Sequence, residues 1–196
     1  MRCFDFCFTL VNVNTTYSFV DYCVSKSGLY LKVKLFFIKI ISKLLLKFNI
    51  INFSRHSKLR ISVLNGLKLT ELNKFSREFA LVLNNNINDN IYKELISDDP
   101  ENVIIISNSL QFVIQDFLDF KGLKVTVIGS NLLINGSNVL GKYDLYVPDK
   151  GKVKVLLESY PNITIDEFFT DDFDADYDLV EYSNVSRLVD KGIVIL

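Results

Sequence analysis

The sequence of 196 residues is poor in histidine, cysteine, proline and tryptophan. It contains one His, three Cys, three Pro and no Trp, while 49% of its residues are hydrophobic. An odd and small number of cysteines excludes a disulfide scaffold, and a single histidine makes a zinc site unexpected. The low proline content and the apolar composition exclude a disordered or collagen-like chain. The composition predicts one folded domain, with or without a small insert, whose thiols are free in a reducing compartment.

The amino terminus lacks the features of a secretory signal. The first residues, MRCFDF, include an acidic residue and no long apolar run, whereas a signal peptide needs a basic start followed by an apolar segment. We therefore expect a cytoplasmic protein, free or bound peripherally to the inner face of the membrane.

Acidic residues are absent from one long segment. Residues 22–70 contain ten Lys or Arg and no Asp or Glu, so all 23 acidic residues lie elsewhere. Seven of them fall between positions 166 and 178: Asp166, Glu167, Asp171, Asp172, Asp174, Asp176 and Asp178. This asymmetry predicts two surfaces with different partners. The acidic segment indicates either a divalent-cation site or a solvated loop.

The central and carboxyl-terminal segments have the pattern of an α/β protein. The apolar runs NVIIIS (102–107) and LKVTVIGS (123–130) predict buried parallel strands, with a helix between them that ends at Gly122. Asn135 and Gly136 form the dipeptide most typical of a β-hairpin. Further strands are predicted at 2–11, around 167–170 and at 192–196, and helices at 29–53, 69–83 and 151–160.

These elements predict a Rossmann-like parallel sheet with a β-hairpin and a small α-helical cap inserted after the first strand. The core would comprise residues 1–12 and 85–196, and the basic, strongly apolar cap would comprise residues 13–84.

Polar side chains follow three of the predicted strands. The first strand ends near Asp5 and Thr9, and the second near Ser107 and Asn108. The acidic strand end carries Asp171, Asp172 and Asp176. Ligands of open α/β sheets bind at the carboxyl ends of the strands, where carboxylates suit Mg²⁺ and a hydroxyl with an ammonium suits a phosphate. Lys152 or Lys154 could supply that ammonium, and the set indicates phosphoryl transfer to an aspartate.

The order of these motifs resembles a known superfamily. DFCFTL, VIIISNS, GKVKVLLE and FTDDFDADYDLVEYS, with the hairpin VIGSNLLINGSNVLGKY, are similar to the phosphoserine-phosphatase-like branch of the haloacid dehalogenase-like hydrolases over nearly the whole chain. The resemblance implies that Asp5 is the nucleophile, Ser107 a phosphate ligand and Lys152 the phosphate-bridging cation. It further implies that Mg²⁺ is bound by Asp5, the carbonyl of Cys7 and Asp172, with Asp171 as the rival ligand and Asp176 orienting Lys152 or metal-bound waters.

Two positions depart from the family pattern. Cys7 stands where the family has a second aspartate that serves as general acid and base, and a thiol with a pKa near 8.5 is a poor substitute. Asn14 stands where phosphoserine phosphatases have a glutamate for the substrate ammonium, so phosphoserine is not expected. Three readings follow: a working phosphatase, a slow one, or a catalytically impaired relative that binds phosphate in a scaffold role.

The predicted cap contains a nearly continuous apolar helix. Lys32, Lys39, Lys43 and Lys47 fall within about 80° of one another at 100° per residue. The pattern fits either a helix lying on an anionic membrane or a packed cap helix with solvated lysines. The cap also resembles the hydrophobic caps of phosphatidylglycerophosphatases, which favours a lipid or membrane-precursor phosphate as substrate over other small molecules. Nucleic acid is not expected as a partner, and His56 is expected to be solvated.

Overall fold

The computed structural model describes residues 1–195. Its strands, in chain order, are β1 (Arg2–Phe4), β2 (Val103–Leu110), β3 (Thr126–Asn135), β4 (Asn138–Leu145), β5 (Glu167–Thr170), β6 (Val185–Asp190) and β7 (Ile193–Val194). Its α-helices are α1 (Thr15–Lys26), α2 (Leu29–Lys47), α3 (Phe53–Ile61), α4 (Leu69–Asn84), α5 (Asp89–Ile96), α6 (Gln111–Phe120), α7 (Lys152–Ser159) and α8 (Tyr177–Tyr182). Leu196, the last residue of the predicted final strand and core, lies outside the described residues.

The strands form one sheet in the order β4-β3-β2-β1-β5-β6-β7. The five strands from β3 to β6 are parallel, while β4 and β7 pair antiparallel at the two edges. β3 and β4 form the predicted hairpin, and Gly136 in its turn has a φ of +57°, which glycine adopts without steric cost. The predicted α/β fold with a mostly parallel sheet and a hairpin is confirmed.

The central strands are buried on both faces. In β2, Val103 and Ile105 join one apolar cluster, whereas Ile104 and Ile106 join a second cluster on the other face. Side chains of a strand alternate between the two faces, so a continuous apolar run is what a doubly covered strand requires. Because both faces of β2 are covered, its continuous apolar run correctly predicted a buried parallel strand.

Helices α1 to α4 follow β1 and precede β2 along the chain. Buried residues of α1 and α4, including Phe19 and Phe79, belong to the same cluster as Phe4 of β1. The rings of Phe19 and Phe79 lie 5.6 Å apart. Part of the segment 13–84 therefore packs directly on the sheet, and the division into cap and core remains a prediction.

The first strand is shorter than predicted. β1 ends at Phe4, and the chain then turns so that the amides of Leu10 and Val11 both donate to the carbonyl of Phe6. Phe8 within this turn has a φ of +57°, a left-handed conformation that costs a non-glycine residue roughly 1–2 kcal/mol. The composition of residues 2–11 could not reveal this turn, because its carbonyls at positions 8 and 9 are also bound by the side-chain amide of Asn88, which is distant in sequence.

Two further elements differ from the prediction. The helix predicted at 29–53 ends at Lys47, and α3 begins at Phe53, where the side chain of Asn52 accepts a hydrogen bond from the amide of Arg55. β6 was not predicted, since only half of its six residues are apolar and Val189 is its one buried residue. Within residues 1–195, no helix combines the length and apolar composition needed to cross a membrane.

Candidate active site

Three side chains from distant parts of the sequence meet at the carboxyl edge of the sheet. Asp5 follows β1, Lys152 begins α7, and Asp176 directly precedes α8. The Lys152 Nζ atom lies 2.7 Å from Oδ1 of Asp5 and 2.6 Å from Oδ1 of Asp176. All three side chains are buried. A buried ammonium is thus shared between two buried carboxylates.

Neighbouring residues fix this arrangement. The Thr170 hydroxyl donates to Oδ2 of Asp176 at 2.6 Å, so both oxygens of Asp176 are hydrogen-bonded. The amide of Val153, in the first turn of α7, donates to Oδ2 of Asp178 at 2.9 Å. That carboxylate satisfies one of the free amides of the helix start and holds Lys152 in position.

Burial and charge act on the pKa values in opposite directions. Burial disfavours the ammonium of Lys152, but Asp5 and Asp176 outweigh it and raise the pKa of Lys152. Burial raises the pKa of Asp5, against the opposing effect of Lys152 and with the help of Asp176. Lys152 is therefore a permanent cation, and the Asp5 carboxylate depends on it for its charge.

A cavity of about 270 Å³ opens beside these groups. Its lining residues come from both strand ends and helical segments: Asp5, Cys7, Phe8, Asn14, Phe53, Asn108, Asp149, Lys152, Asp171, Asp172, Ala175 and Asp176. The cavity is large enough for a phosphate and part of its leaving group, and one wall of it is strongly acidic.

Asp171 and Asp172 occupy different environments. Asp171 accepts a hydrogen bond from the Thr9 hydroxyl at 3.2 Å, and its charge contributes to the raised pKa of Asp5. Burial raises the pKa of Asp171 itself to about 6. Oδ1 of Asp172 instead accepts the amides of Asp174 and Ala175 in its own turn. Asp171 is thus the member of the pair that contacts the turn after β1.

Of the predicted phosphate ligands, Asn108 and Lys152 line the cavity, whereas Ser107 and Thr9 do not. Asn108 lines it and donates to Oδ1 of Asp149 at 3.0 Å. Ser107 and Thr9 are fully buried, and neither belongs to the described lining. Ser107 accepts the amide of Ser109 at 3.4 Å, and Thr9 binds Asp171. The alternative ammonium, Lys154, is exposed and faces Glu158 at 4.0 Å.

Cys7 lines the cavity as a neutral thiol. Its Sγ atom lies 2.9 Å from the Ser109 hydroxyl and accepts the amide of Thr15 at 3.2 Å. Burial and the charge of Asp5 raise the pKa of Cys7. A thiol with a raised pKa is neither a nucleophile nor an effective acid at neutral pH.

Most of the remaining acidic cluster stabilises the fold. Asp166 pairs with the amino group of Met1 at 2.6 Å. Glu167 pairs with Arg2 and Arg187 at 3.0 and 2.8 Å. The density of acids between 166 and 178 therefore reflects ion pairs, a turn and a helix cap as well as the cavity wall.

Several residues of the site, among them Asp149, Phe53 and Thr170, were not predicted from the sequence. Asp149 reaches Asn108 from the loop before α7, Phe53 reaches the cavity from the start of α3, and Thr170 binds Asp176. The position of Asp149 three residues before Lys152 was a usable signal. Phe53 offered none, because its approach to the cavity depends on how the helices pack.

His56 differs from the expectation of a solvated side chain. It is buried, and its Nδ1 atom lies 2.8 Å from the Tyr17 hydroxyl. Burial, together with Arg60 and Lys43, lowers the pKa of His56. The basic neighbours that made the segment look solvated instead keep this imidazole neutral.

The donor set of the cavity fits Mg²⁺ better than a transition metal. Its side chains offer carboxylate oxygens, which Mg²⁺ prefers, and Cys7 is the one sulfur. In residues 1–195, no group of three or more His, Cys, Asp or Glu side chains is arranged to hold a metal ion by itself. Mg²⁺ commonly uses one or two carboxylates and several waters, so two aspartates with a backbone carbonyl suffice.

No family model matches the sequence. No curated protein matches it significantly. Several solved structures are similar to the chain. A protein of unknown function from Bordetella pertussis Tohama I superposes with a TM-score of 0.72 and 15% identity, over 92% of this chain and 85% of that chain.

Two further structures carry more informative names. A phosphoserine phosphohydrolase-like protein from Francisella tularensis subsp. tularensis SCHU S4 has a TM-score of 0.61 and 21% identity, over 96% of this chain and 87% of its own. Phosphoserine phosphatase from T. onnurineus has a TM-score of 0.56 and 16% identity, over 95% and 81%. At these identities the likeness shows the fold. The chain has the fold of phosphoserine phosphatases and related haloacid dehalogenase-like hydrolases, as the motif resemblance implied.

Proposed function

We propose that the protein is a Mg²⁺-dependent phosphatase that hydrolyses a phosphomonoester through an aspartyl-phosphate on Asp5. The observation that carries this proposal is the buried contact of Lys152 with both Asp5 and Asp176 beside the cavity. Burying an ammonium and two carboxylates is costly, and such groups concentrate at sites that use them. The fold shared with phosphoserine phosphatases supports the same activity.

The proposed reaction has two displacements at phosphorus. Lys152 holds Oδ1 of Asp5, so Oδ2 attacks the phosphorus atom while the bond to the leaving oxygen breaks. The leaving oxygen takes a proton from water. A second water then attacks the phosphorus of the acyl phosphate and gives up a proton to the hydroxide left by the first water, while the bond between phosphorus and Oδ2 of Asp5 breaks. This step releases inorganic phosphate and restores the Asp5 carboxylate. Lys152 offsets the charge of the phosphoryl oxygens in both steps.

Asp5, Asp171 and the backbone carbonyl of Cys7 would hold the metal ion. We favour Asp171 over Asp172 because the Asp171 carboxylate reaches Thr9 in the turn that follows Asp5, whereas Oδ1 of Asp172 binds amides of its own turn. When bound, Mg²⁺ would neutralise phosphate charge and orient the phosphoryl group. Asp176 has both oxygens engaged and is proposed to orient Lys152.

The Cys7 thiol leaves the proposed enzyme without a positioned general acid. Losing such a group commonly lowers the rate by about 10²- to 10⁴-fold. We therefore propose a slow phosphatase, with the catalytically impaired phosphate-binding protein as the alternative that the experiments below would reveal.

The substrate is proposed to carry an apolar or uncharged leaving group. Among the described lining residues from segment 13–84, Asn14 and Phe53 are both uncharged. The Asn14 side-chain oxygen is used as the cap of α1 through the Tyr17 amide. This wall supports a lipid or membrane-precursor phosphate over phosphoserine, whose ammonium would find no carboxylate there.

Release of phosphate from a generic aryl phosphate with Mg²⁺ tests the activity. Asp5→Asn should abolish turnover, because the amide is not a nucleophile, while Asp174→Asn in the exposed part of the acidic turn should retain it. Equal rates for wild type and Asp5→Asn would remove the enzyme proposal. Phosphatidic acid, compared with phosphoserine, then tests the substrate class, and a preference for phosphoserine would contradict it.

Restoring the missing acid tests the explanation for slow turnover. The Thr15 amide and Ser109 hydroxyl that contact Cys7 can donate equally to a carboxylate. Cys7→Asp should raise the rate by about 10²-fold, whereas Cys7→Ser, which keeps the hydrogen bonds and supplies no acid, should not. Absence of any gain in Cys7→Asp would favour the impaired, phosphate-binding alternative.

A further inference from the structure

Helix α2 exposes most of its large apolar side chains. Of its 19 residues, Leu35 and Ser42 are the buried ones. The exposed apolar residues of the helix, here named the α2 face, are Leu29, Tyr30, Val33, Phe36, Phe37, Ile40, Ile41 and Leu44. Phe36 and Phe37 are 59% and 56% exposed. Single exposed apolar residues are ordinary, but a contiguous set of this size marks an interaction surface.

The apolar surface continues beyond the helix toward the cavity. Phe48 and Ile50 in the loop after α2 are 67% and 61% exposed, and Phe53 at the start of α3 is 47% exposed. Phe53 also lines the cavity of the candidate active site. Exposed apolar residues thus follow the chain from α2 to Phe53 on the cavity wall.

Lysines flank this face, and they fall into two sets, those that contact other parts of the fold and those that are exposed. Lys39 pairs with Asp21 at 2.7 Å, and Lys34 donates to the carbonyl of Ser62 at 2.9 Å. Lys32, Lys43 and Lys47 are exposed. At 100° per residue these three fall within about 60° of one another, along one edge of the α2 face.

We propose that the α2 face, with Lys32, Lys43 and Lys47, docks on the surface of an anionic lipid bilayer. An anionic bilayer offers an apolar layer for the aromatic and aliphatic side chains and headgroup phosphates for the lysines, whose long stems let the ammonium groups reach past the apolar surface. A second copy of this chain fits less well, because residues 22–70 contain no acidic residue to face those lysines. Docking would bring the mouth of the cavity, through Phe53, close to the bilayer.

Vesicle flotation tests this proposal independently of any catalytic activity. Vesicles of phosphatidylcholine alone are compared with vesicles containing about one third phosphatidylglycerol, at low salt and at about 1 M salt. We expect binding to the anionic vesicles at low salt and its loss at high salt. Each neutralised lysine should weaken binding about fivefold, so K32Q/K43Q/K47Q should weaken it by about a hundredfold.

Matched variants distinguish this surface from charge or hydrophobicity in general. K74Q/K93Q/K124Q removes three exposed lysines elsewhere and should bind as the wild type does. F37S/I41S should abolish binding, whereas L81S/F120S, which alters exposed apolar residues of other helices, should not. Asp5→Asn should bind as the wild type does, so failure of the phosphatase proposal would leave this result intact.

Three outcomes would overturn the proposal. The first is no binding of the wild type to anionic vesicles at low salt. The second is equal binding by the two triple lysine variants. The third is a stable dimer in sedimentation velocity that F37S/I41S dissociates, together with no vesicle binding, which would assign the α2 face to a second copy of the chain.

Discussion

The carboxyl edge of the sheet and helix α2 distribute polar and apolar side chains in opposite ways. At the sheet edge, Lys152 and two aspartates are buried. On α2, eight large apolar side chains are exposed. Both arrangements run against the usual partition of residues. The cost of burying charge is offset within the chain, because Lys152 pairs with the two aspartates. The cost of exposing the α2 face would be offset only by a contact outside the chain.

The largest expected effect comes from removing the shared ammonium. Lys152→Met leaves Asp5 and Asp176 buried without their cation, which should lower the free energy of unfolding by about 3–5 kcal/mol. Urea denaturation at pH 7 measures this loss. Lys154→Met changes an exposed lysine of the same helix and should alter stability by less than about 0.5 kcal/mol. Similar losses in both variants would contradict the contrast between buried and exposed charge.

A smaller effect, of opposite sign, is expected at Asp171. Burial raises the pKa of Asp171 to about 6, above the value near 3.9 of an unfolded chain. The folded protein therefore binds this proton more tightly, and stability is lost as the pH rises from about 4 through 6. Without divalent cations, Asp171→Asn should be more stable than wild type by about 1 kcal/mol at pH 8, after allowance for solvent screening, and equal to it at pH 4.

Added Mg²⁺ provides the matching control for Asp171. The wild type should gain stability with Mg²⁺ through binding to the folded state, whereas Asp171→Asn should gain less. Denaturation curves at pH 8 with and without the cation compare the two proteins. An equal gain would indicate that Asp171 is not a ligand, and Asp172→Asn would then be the variant to compare.

A comparable gain is expected at the turn after β1. Phe8 has a φ of +57° and is 46% exposed, so glycine should relieve the strain with little loss of packing. Phe8→Gly should stabilise the protein by about 1 kcal/mol. Phe8→Ala retains a Cβ atom and should not give this gain. Equal stability of the two variants in thermal unfolding would show that the turn is not strained.

The smallest change in stability is expected for substitutions in the exposed α2 face. F37S/I41S removes two exposed apolar side chains of α2, and exposed substitutions usually change stability by less than about 0.5 kcal/mol. The same variant is expected to abolish vesicle binding. A large loss of stability in urea denaturation would indicate that the α2 face contributes to the fold rather than to an external contact.

The predictable residues of the site lie after strands or at the start of a helix. Asp5 and Asp176 were identified because polar residues follow apolar runs there, and Lys152 because the order of the motifs resembles a known superfamily. The sequence did not show how close these three side chains lie, and in the structure Lys152 contacts both carboxylates. Their catalytic roles stay a proposal.

The unpredicted parts depend on tertiary packing. Phe53 approaches the cavity because α2 ends at Lys47 and the chain reverses into α3, and no local pattern encodes that reversal. β6 pairs with β5 through its backbone while most of its side chains remain outside the core. His56 is buried by Tyr17 although its neighbours in sequence are basic. Local pattern and composition describe a segment by itself. In each of these cases, the structure of the segment depends on another segment that packs against it.

The three buried cysteines offer a way to observe separate regions of this molecule opening. Cys3 lies in the centre of the sheet, Cys7 on the cavity wall and Cys23 in α1, and burial raises the pKa of each. An alkylating reagent can therefore modify Cys3 and Cys23 only after local or global opening exposes them, whereas it can approach Cys7 through the cavity. The order in which Cys3 and Cys23 are labelled would report the relative stability of the regions that contain them, without any engineered cysteine.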